Sequence, residues 1–491
     1  MFQVALSLEL TLASVLDRAV FNKLILTTLK YTPLLLTTHI PFRLSPTTGR
    51  YKLLKSPPPA LMKMLLSYVG NLLHLISQLP DDEAAGGLLR VCLAESSKMV
   101  PWIGGAKKTV RLYLKTLLEL WSTGTDGTRI ACFLAIRKLV SAGDEAVKDM
   151  VLKGIYLSLL RTCKNTSIHT LPSINLMKNS ASEIYALDHA AAYQHAFGYI
   201  RQLAVHLRNS MRVKTKDSYK AVYNWQFAHC IDFWSLVLST ACSRETRIQR
   251  GGVESELQPL IYPLVQVTLG VIRLIPTSRY FPLRFHLLRS LLRLSTHTKT
   301  YIPLVPSLLE PLASAEFTHK PKPSTLPPLD FEYHIRAPST YPRTRVYQDG
   351  LGEEIAYLLL ESQALMSTSI AFPELAIPVV TALKRFVKKG KNGKVGGQFK
   401  VLTERMENNA KWVGEKRKGV EFAPNDRGAV ESFLEGVEIE SSPLGTYWRL
   451  QKKVRDTKRR EVEKVSTSLS CPALCFCGEP VTDFSLTPFL D

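Results

Sequence analysis

The sequence predicts an all-α fold, an α-solenoid of stacked helix pairs of the HEAT or armadillo kind. Three observations carry this. Apolar residues recur at three- and four-residue steps over long segments. Prolines that suit the first turn of a helix punctuate the chain at Pro259, Pro282, Pro373 and Pro443. No alternating two-residue pattern runs through several successive segments, which favours helix throughout, although the stacked pairs show no fixed-period sequence repeat. With 491 residues the chain has room for about three globular domains or one long helical array.

Residues 1–20 are apolar as far as Leu16 but carry Glu9 and Asp17 and have no basic lead-in, so they read as a truncated or atypical N-terminal helix, not a signal peptide. Residues 21–317 form the main helical-repeat body. Within it Tyr193, Ala196, Phe197, Ile200, Ala204, Leu207 and Met211 share one helical face. Gln194, Arg201, Arg208 and Arg212 form a second stripe, about 100° round the same helix. Val222 to Leu238 is apolar almost all round, as a helix covered on several sides must be. Leu257 to Ile275 is long enough for a membrane span, yet Gln258, Pro259, Pro263, Gln266 and Arg273 mark it as a buried helix of the array. After Pro282, residues His286, Arg289 and Arg293 line one helical face whose charge suits phosphate better than proton transfer. Residues 318–347 hold six prolines, too many for a helix, and read as a stiff Pro-rich connection at the main boundary. Residues 348–465 make a C-terminal helical block with basic clusters, and 466–491 a disordered tail.

Apolar residues are 45% and charged residues 21% of the chain, which excludes wholesale disorder and collagen-like composition. Charge is what departs from the average. The net value of +21 favours a polyanionic partner and is more than a cytosolic metabolic enzyme needs. It has two centres: residues 151–320 carry +11 and residues 384–465 carry +9. Cys92, Cys132, Cys163, Cys230 and Cys242 stand singly among apolar residues and read as buried thiols. Cys471, Cys475 and Cys477 fall one ligand short of an ordinary zinc site and read as part of the tail. No phosphate-binding loop, metalloprotease, nucleophile-elbow or dinucleotide motif is present in the sequence. The chain is therefore read as a non-enzyme without cofactor or metal.

Two basic clusters stand out. From Lys384 to Lys418 there are twelve Lys or Arg against three Glu. Lys384, Arg385, Lys388 and Lys389 end an amphipathic helix, and the segment GKNGKVGGQFK, with Lys391 and Lys394, continues as a loop. This is either a cationic arm that follows a phosphate backbone or a helix end capped by favourable dipole charges. Lys452, Lys453, Arg455, Lys458, Arg459 and Arg460 lie on the helix opened by Pro443. They form either a nuclear-import signal or a solvated end helix.

Several strings are distinctive as they stand: YQHAFGYIRQLAVHLRNSM (193–211), YKAVYNWQFAHCIDFWSLVLS (219–239), LIYPLVQVTLGVIRLIPTSRYFPLRFHLLR (260–289) and SIAFPELAIPVVTALKRFVK (369–388). They closely resemble the nucleolar complex protein 2 family of ribosome biogenesis factors. The likeness begins near FNKLILTTLKY (21–31), extends through KRKGVEFAPNDRGAV (416–430) and fades after Arg460. The resemblance implies a non-enzymatic helical-repeat scaffold of the nucleus, nucleolus and nucleoplasm. Such a scaffold joins companion nucleolar complex proteins on precursors of the large ribosomal subunit, with roles in rRNA maturation and intranuclear transport. The basic residues Arg201, Arg208 and Arg212, Arg289 and Arg293, and Lys384, Arg385, Lys388, Lys389, Lys391 and Lys394 are the candidates for direct rRNA or phosphate contact. Family members usually carry a long charged N-terminal extension, which is not seen ahead of residue 21. The alternative reading is a nuclear regulatory adaptor for chromatin or transcription factors, since chromatin too presents phosphates.

Overall fold

The computed structural model describes residues 18–45, 51–81, 87–420, 425–434 and 436–468. The described residues are almost wholly helical. The long helices are α1 (Arg18–His39), α2 (Pro59–Gln78), α3 (Gly87–Lys98), α4 (Lys107–Thr123), α5 (Asp126–Ala142), α6 (Glu145–Thr162), α7 (Leu171–Tyr185), α8 (His189–Val213), α9 (Trp225–Ala241), α10 (Ile261–Leu274) and α11 (Phe281–Thr298). They are followed by α12 (Arg345–Ala364), α13 (Phe372–Lys389), α14 (Gly393–Arg417) and α15 (Pro443–Ser468). One small departure from the all-α expectation is an antiparallel hairpin of β1 (Phe42–Leu44) and β2 (Tyr51–Leu53), with Phe42 opposite Leu53. Three-residue strands leave too little alternation to be read from sequence. The Cys471, Cys475 and Cys477 cluster and most of the 1–20 segment lie outside the described residues.

The chain divides into two units, one of residues 1–358 with 385–398 and one of residues 359–384 with 399–491. In the first unit each long helix from α1 to α11 packs chiefly on helices one to three places along the chain: α4 on α2, α5 and α6; α7 on α5, α6 and α9; α9 on α6, α7, α8, α10 and α11. Local side chains start these helices. Asp144 accepts from the Val147 N–H at 2.9 Å, Asp188 from Ala191 at 3.2 Å and Asn224 from Phe227 at 2.7 Å, each satisfying a donor that the first helical turn leaves unpaired. Asp81 does the same from a distance, its Oδ2 accepting the Thr125 N–H at 2.5 Å and its Oδ1 the Thr128 hydroxyl at 2.7 Å. Close helix approach needs glycine at two points. A Cβ on Gly154 would lie 2.6 Å from Leu118, and one on Gly270 would lie 2.6 Å from Leu207.

The core centres on α9, in which Phe227, Ile231, Phe233, Trp234, Val237 and Leu238 are all buried. Tyr156 of α6 stacks on Tyr199 of α8 at 3.9 Å and lies 5.4 Å from Trp234, whose ring meets Tyr185 of α7 edge-on at 5.3 Å. Large aromatic rings in offset and edge-to-face contact bury much apolar area at fixed geometry. Leu257–Ile275 is covered as expected: Leu264, Val267, Val271 and Ile272 of α10 are buried. Among the described residues, α2 is the one helix with the length and apolarity to cross a membrane; its Leu65, Val69, Leu72, Leu73 and Ile76 are buried, and it packs on α3 and α4.

The Pro-rich residues 318–347 do not separate the units. They belong wholly to the first, and they run along α11 with the Leu283 N–H donating to the Ile335 carbonyl and the Ala337 N–H to the Arg279 carbonyl. Phe331, Ala337 and Tyr341 are buried. Proline frees a segment from helical hydrogen bonding but does not stop its apolar side chains from docking. In the second unit, Asn409 is fully buried and bridges three elements. Its Nδ2 donates to the Ser367 carbonyl at 3.0 Å, and its Oδ1 accepts from the Leu444 N–H at 3.3 Å. Ser442 donates to Ser367 Oγ at 2.8 Å, so the start of α15 is fixed on the same point.

Candidate docking and phosphate-binding surfaces

The four groups of cations singled out in the sequence meet different fates. On α11, burial decides. Arg289 donates through Nε and Nη2 to Glu354 Oε1 at 3.1 and 2.6 Å, and the Glu354 side chain is only 6% exposed. Arg293 Nη2 donates to Asp232 Oδ1 at 2.5 Å and to Ser235 Oγ at 2.6 Å. These two arginines are thus half-buried partners of carboxylates within the protein, which already neutralise the charge that a phosphate would need. The third member of that face, His286, packs edge-on against Trp225 at 5.2 Å with Nε2 facing the His334 carbonyl at 3.3 Å. Burial and neighbouring Arg289 push its imidazole down to about 3.

Asp232 is the hub of this buried network. Besides Arg293, it accepts Lys178 Nζ at 2.5 Å on Oδ2 and Ser290 Oγ at 2.9 Å on Oδ1, tying α7, α9 and α11 together. Burial alone would raise its carboxyl, but Arg293 and Lys178 outweigh burial and hold it well below the usual carboxylate range. His229, one turn earlier on α9, faces Thr166 Oγ1 through Nε2 at 3.0 Å and Lys178 Nζ through Nδ1 at 3.4 Å. Lys178 can only donate, so Nδ1 accepts and Nε2 carries the proton. Burial, then the Lys178 charge, pushes His229 down to about 3. Lys178 and Asp232 stand far apart in sequence and carried no motif, so this network was invisible to pattern reading. The only signal is Asp232, a charged residue inside a largely apolar helix; Lys178 stands in a mixed polar segment that marks nothing.

On α8 the geometry is the reverse. Ala192, Ala196, Ile200, Leu203, Leu207 and Ser210 are buried, whereas Arg201, Arg208 and Arg212 are exposed and make no ion pair or side-chain hydrogen bond with any described residue. Phe197 (49% exposed), Val205 (45%) and Met211 (54%) lie exposed among them. The apolar set read from sequence as one face is therefore split: Phe197 and Met211 belong to the outward side. α8 ends with Lys214 in a left-handed conformation at φ 52°.

The six cations at 384–394 are of two kinds. Lys384 is held by Glu407 at 2.5 Å, and Lys394 by Glu353 at 2.8 Å. The hydrogen bond to Glu353, against a smaller desolvation, raises Lys394 above its ordinary value. Arg385, Lys388, Lys389 and Lys391 are exposed and have no described acidic partner. The expected loop is mostly helix. α14 begins at Gly393, directly after buried Asn392, whose Oδ1 accepts from the N–H groups of Lys394 and Val395 and whose Nδ2 donates to Gln348 and Asp349. Val395 is fully buried and fits only because Gly352 lacks a Cβ, which would lie 2.7 Å from its methyls. A buried cap and a docked valine overcome the low helix propensity of three glycines.

On α15, Lys452, Lys453, Lys458, Arg459 and Arg460 are exposed and Arg455 is half-buried. Lys452 Nζ lies 5.2 Å over the Trp448 ring and Arg405 lies 5.4 Å over Tyr447, cation–π contacts that fix the near end of the helix. Among the described residues no group of three or more His, Cys, Asp and Glu is placed to hold a metal ion. Burial pushes the thiols of Cys92 and Cys242 up to about 11 and those of Cys132 and Cys230 up to about 12. Thiols so shifted are inert at neutral pH.

Likeness to known proteins runs along this same helical array. A NOC2 family protein of Schizosaccharomyces pombe is 40% identical over 452 residues, 91% of this chain and 63% of the relative. Nucleolar complex protein 2 of Drosophila melanogaster is 37% identical over 395 residues, 80% of this chain and 50% of the relative. Nucleolar complex-associated protein 2 of Arabidopsis thaliana is 34% identical over 373 residues, 76% and 47% respectively. The chain spans between 47% and 63% of the length of these relatives. Residues 146–451, which hold α8, the buried Asp232 network, the 384–394 cations and the start of α15, match the Noc2p family, and the chain belongs to that family.

Proposed function

We propose that this chain is a non-enzymatic ribosome biogenesis factor of the nucleolus and nucleoplasm. In this reading it is an α-solenoid scaffold that binds companion nucleolar complex proteins and pre-60S particles, and so serves large-subunit assembly, rRNA maturation and intranuclear transport. The observation that carries the reading is the likeness to proteins named nucleolar complex protein 2 over most of the chain. The packing supports it: helices that touch mainly their near neighbours along the chain leave long continuous faces for partners. Arg385, Lys388, Lys389 and Lys391 provide direct rRNA contact through phosphates, because they are exposed and lack carboxylate partners. The exposed cations from Lys452 to Arg460 supply nuclear import.

The test is sedimentation of the tagged protein from nuclear extract. Co-migration with large pre-ribosomal particles, released by RNase, together with recovery of companion nucleolar complex proteins, is the expected result. Migration only with chromatin or at the size of a free adaptor would replace this reading with that of a nuclear regulatory adaptor.

A further inference from the structure

Between His189 and Val213, α8 contains no Asp or Glu. Phe197, Arg201, Val205, Arg208 and Arg212 follow one another at steps of four, four, three and four, which keeps them on one side of the helix, with Met211 beside them. The stripe extends about 22 Å at 1.5 Å per residue, room for four turns of a second helix. Its opposite side is clamped into the array through Ala192, Ala196, Ile200, Leu203 and Leu207, so the outward face is rigid before anything binds.

We propose that this face of α8 docks an amphipathic helix of a protein partner, one that presents apolar residues to Phe197, Val205 and Met211 and carboxylates to Arg201, Arg208 and Arg212. The proposal deepens the scaffold reading by giving the chemistry of one partner. Charge complementarity and apolar interleaving select a peptide over nucleic acid. The guanidinium forks pair with carboxylates bidentately, and the three apolar side chains between them gain from burial against another apolar stripe. A phosphate backbone would satisfy the arginines and leave Val205 and Met211 facing water. The cation cluster without interleaved apolar side chains lies elsewhere, Lys388 and Lys389 at the end of α13 and Lys391 in the short turn before α14.

The experiment places a photoreactive benzophenone amino acid at Phe197 or Val205 of the full chain in cells and identifies the cross-linked product by mass spectrometry. A peptide from another protein, helical in pattern and rich in Asp and Glu beside apolar residues, is expected at both positions. That peptide, synthesised and fluorescently labelled, is then titrated with purified full chain. The variant Arg201→Glu/Arg208→Glu/Arg212→Glu and, separately, Phe197→Ala/Val205→Ala/Met211→Ala should each weaken binding at least tenfold with unchanged helical circular dichroism. Cross-linking to RNA alone, to no macromolecule, or to a basic or non-helical peptide overturns the proposal, as does wild-type affinity in either variant. An acidic helix from a protein foreign to ribosome assembly would uphold this docking face while sinking the proposed function.

Discussion

Two helices with a similar arginine spacing, α8 and α11, use it in opposite ways. α8 buries seven of its 25 residues and turns Arg201, Arg208 and Arg212 outward; α11 buries twelve of its 18, and Arg289 and Arg293 find Glu354 and Asp232 inside. The difference lies in the residues between the arginines. Leu283, Phe285, Leu287, Leu288, Leu291, Leu292 and Leu294 leave α11 no face that water can keep, so its cations must be paired within the protein. A basic stripe is a candidate binding surface only where the rest of its helix is one-sided.

The largest effect is expected of Asp232→Asn. It leaves Lys178 and Arg293 with charges and no counter-charge, and unpairing a buried ion of this kind costs about 3–5 kcal/mol. Chemical denaturation should show a loss of that order, and a loss under about 1 kcal/mol would mean that water reaches the site. Acid should act next. His229 and His286 are neutral in the fold down to about 3, whereas an unfolded histidine gains its proton near 6.5. Below that pH the unfolded state binds more protons, so stability is full above 6.5 and falls as pH drops towards 3. At pH 5 the loss is about 2 kcal/mol per histidine. Thermal melts at pH 7 and pH 5 measure it, and His229→Gln/His286→Gln should flatten the difference. For α8 the expected stability change is smallest: Arg201→Glu/Arg208→Glu/Arg212→Glu should alter unfolding free energy by no more than about 0.5 kcal/mol. A larger loss would place those arginines with the α11 pair. Lys388→Gln/Lys389→Gln/Lys391→Gln should likewise leave stability alone while flattening the log-log salt dependence of RNA binding by about two units.

Much of the fold was legible. The helix over 193–213, the apolar helix after Val222 and the proline-marked starts of α11, α13 and α15 all follow from periodicity and from the geometry of a first helical turn. What was not legible depends on partners remote in the chain. Arg289 cannot be known as half-buried and ion-paired without Glu354, and residues 393–397 read as a loop until Asn392 and Gly352 are placed around them. The Pro-rich segment read as a stiff connection at a boundary because proline reports the absence of helix and says nothing of docking by Phe331 and Tyr341. Of the candidate cations, Arg201, Arg208 and Arg212, like Arg385, Lys388, Lys389 and Lys391, are exposed and without a described carboxylate partner. Lys384, Lys394, Arg289 and Arg293 are paired with carboxylates that no local pattern announces.

The ring stack at the meeting of α6, α8 and α9 also makes the molecule its own optical reporter. Trp234 is fully buried within about 6 Å of Tyr156, Tyr185, Tyr199 and Phe233, so its indole transitions couple to chromophores held at fixed angles. Separation of these three helices would abolish the near-ultraviolet dichroism of that cluster and shift Trp234 emission to longer wavelength as water arrives. Loosening of the second unit, where Trp448 lies under Lys452, would change a different indole. The protein has six tryptophans, so it is the difference spectrum between wild type and Trp234→Phe, or between wild type and Trp448→Phe, that isolates a reporter of each unit in an unlabelled chain, by light alone.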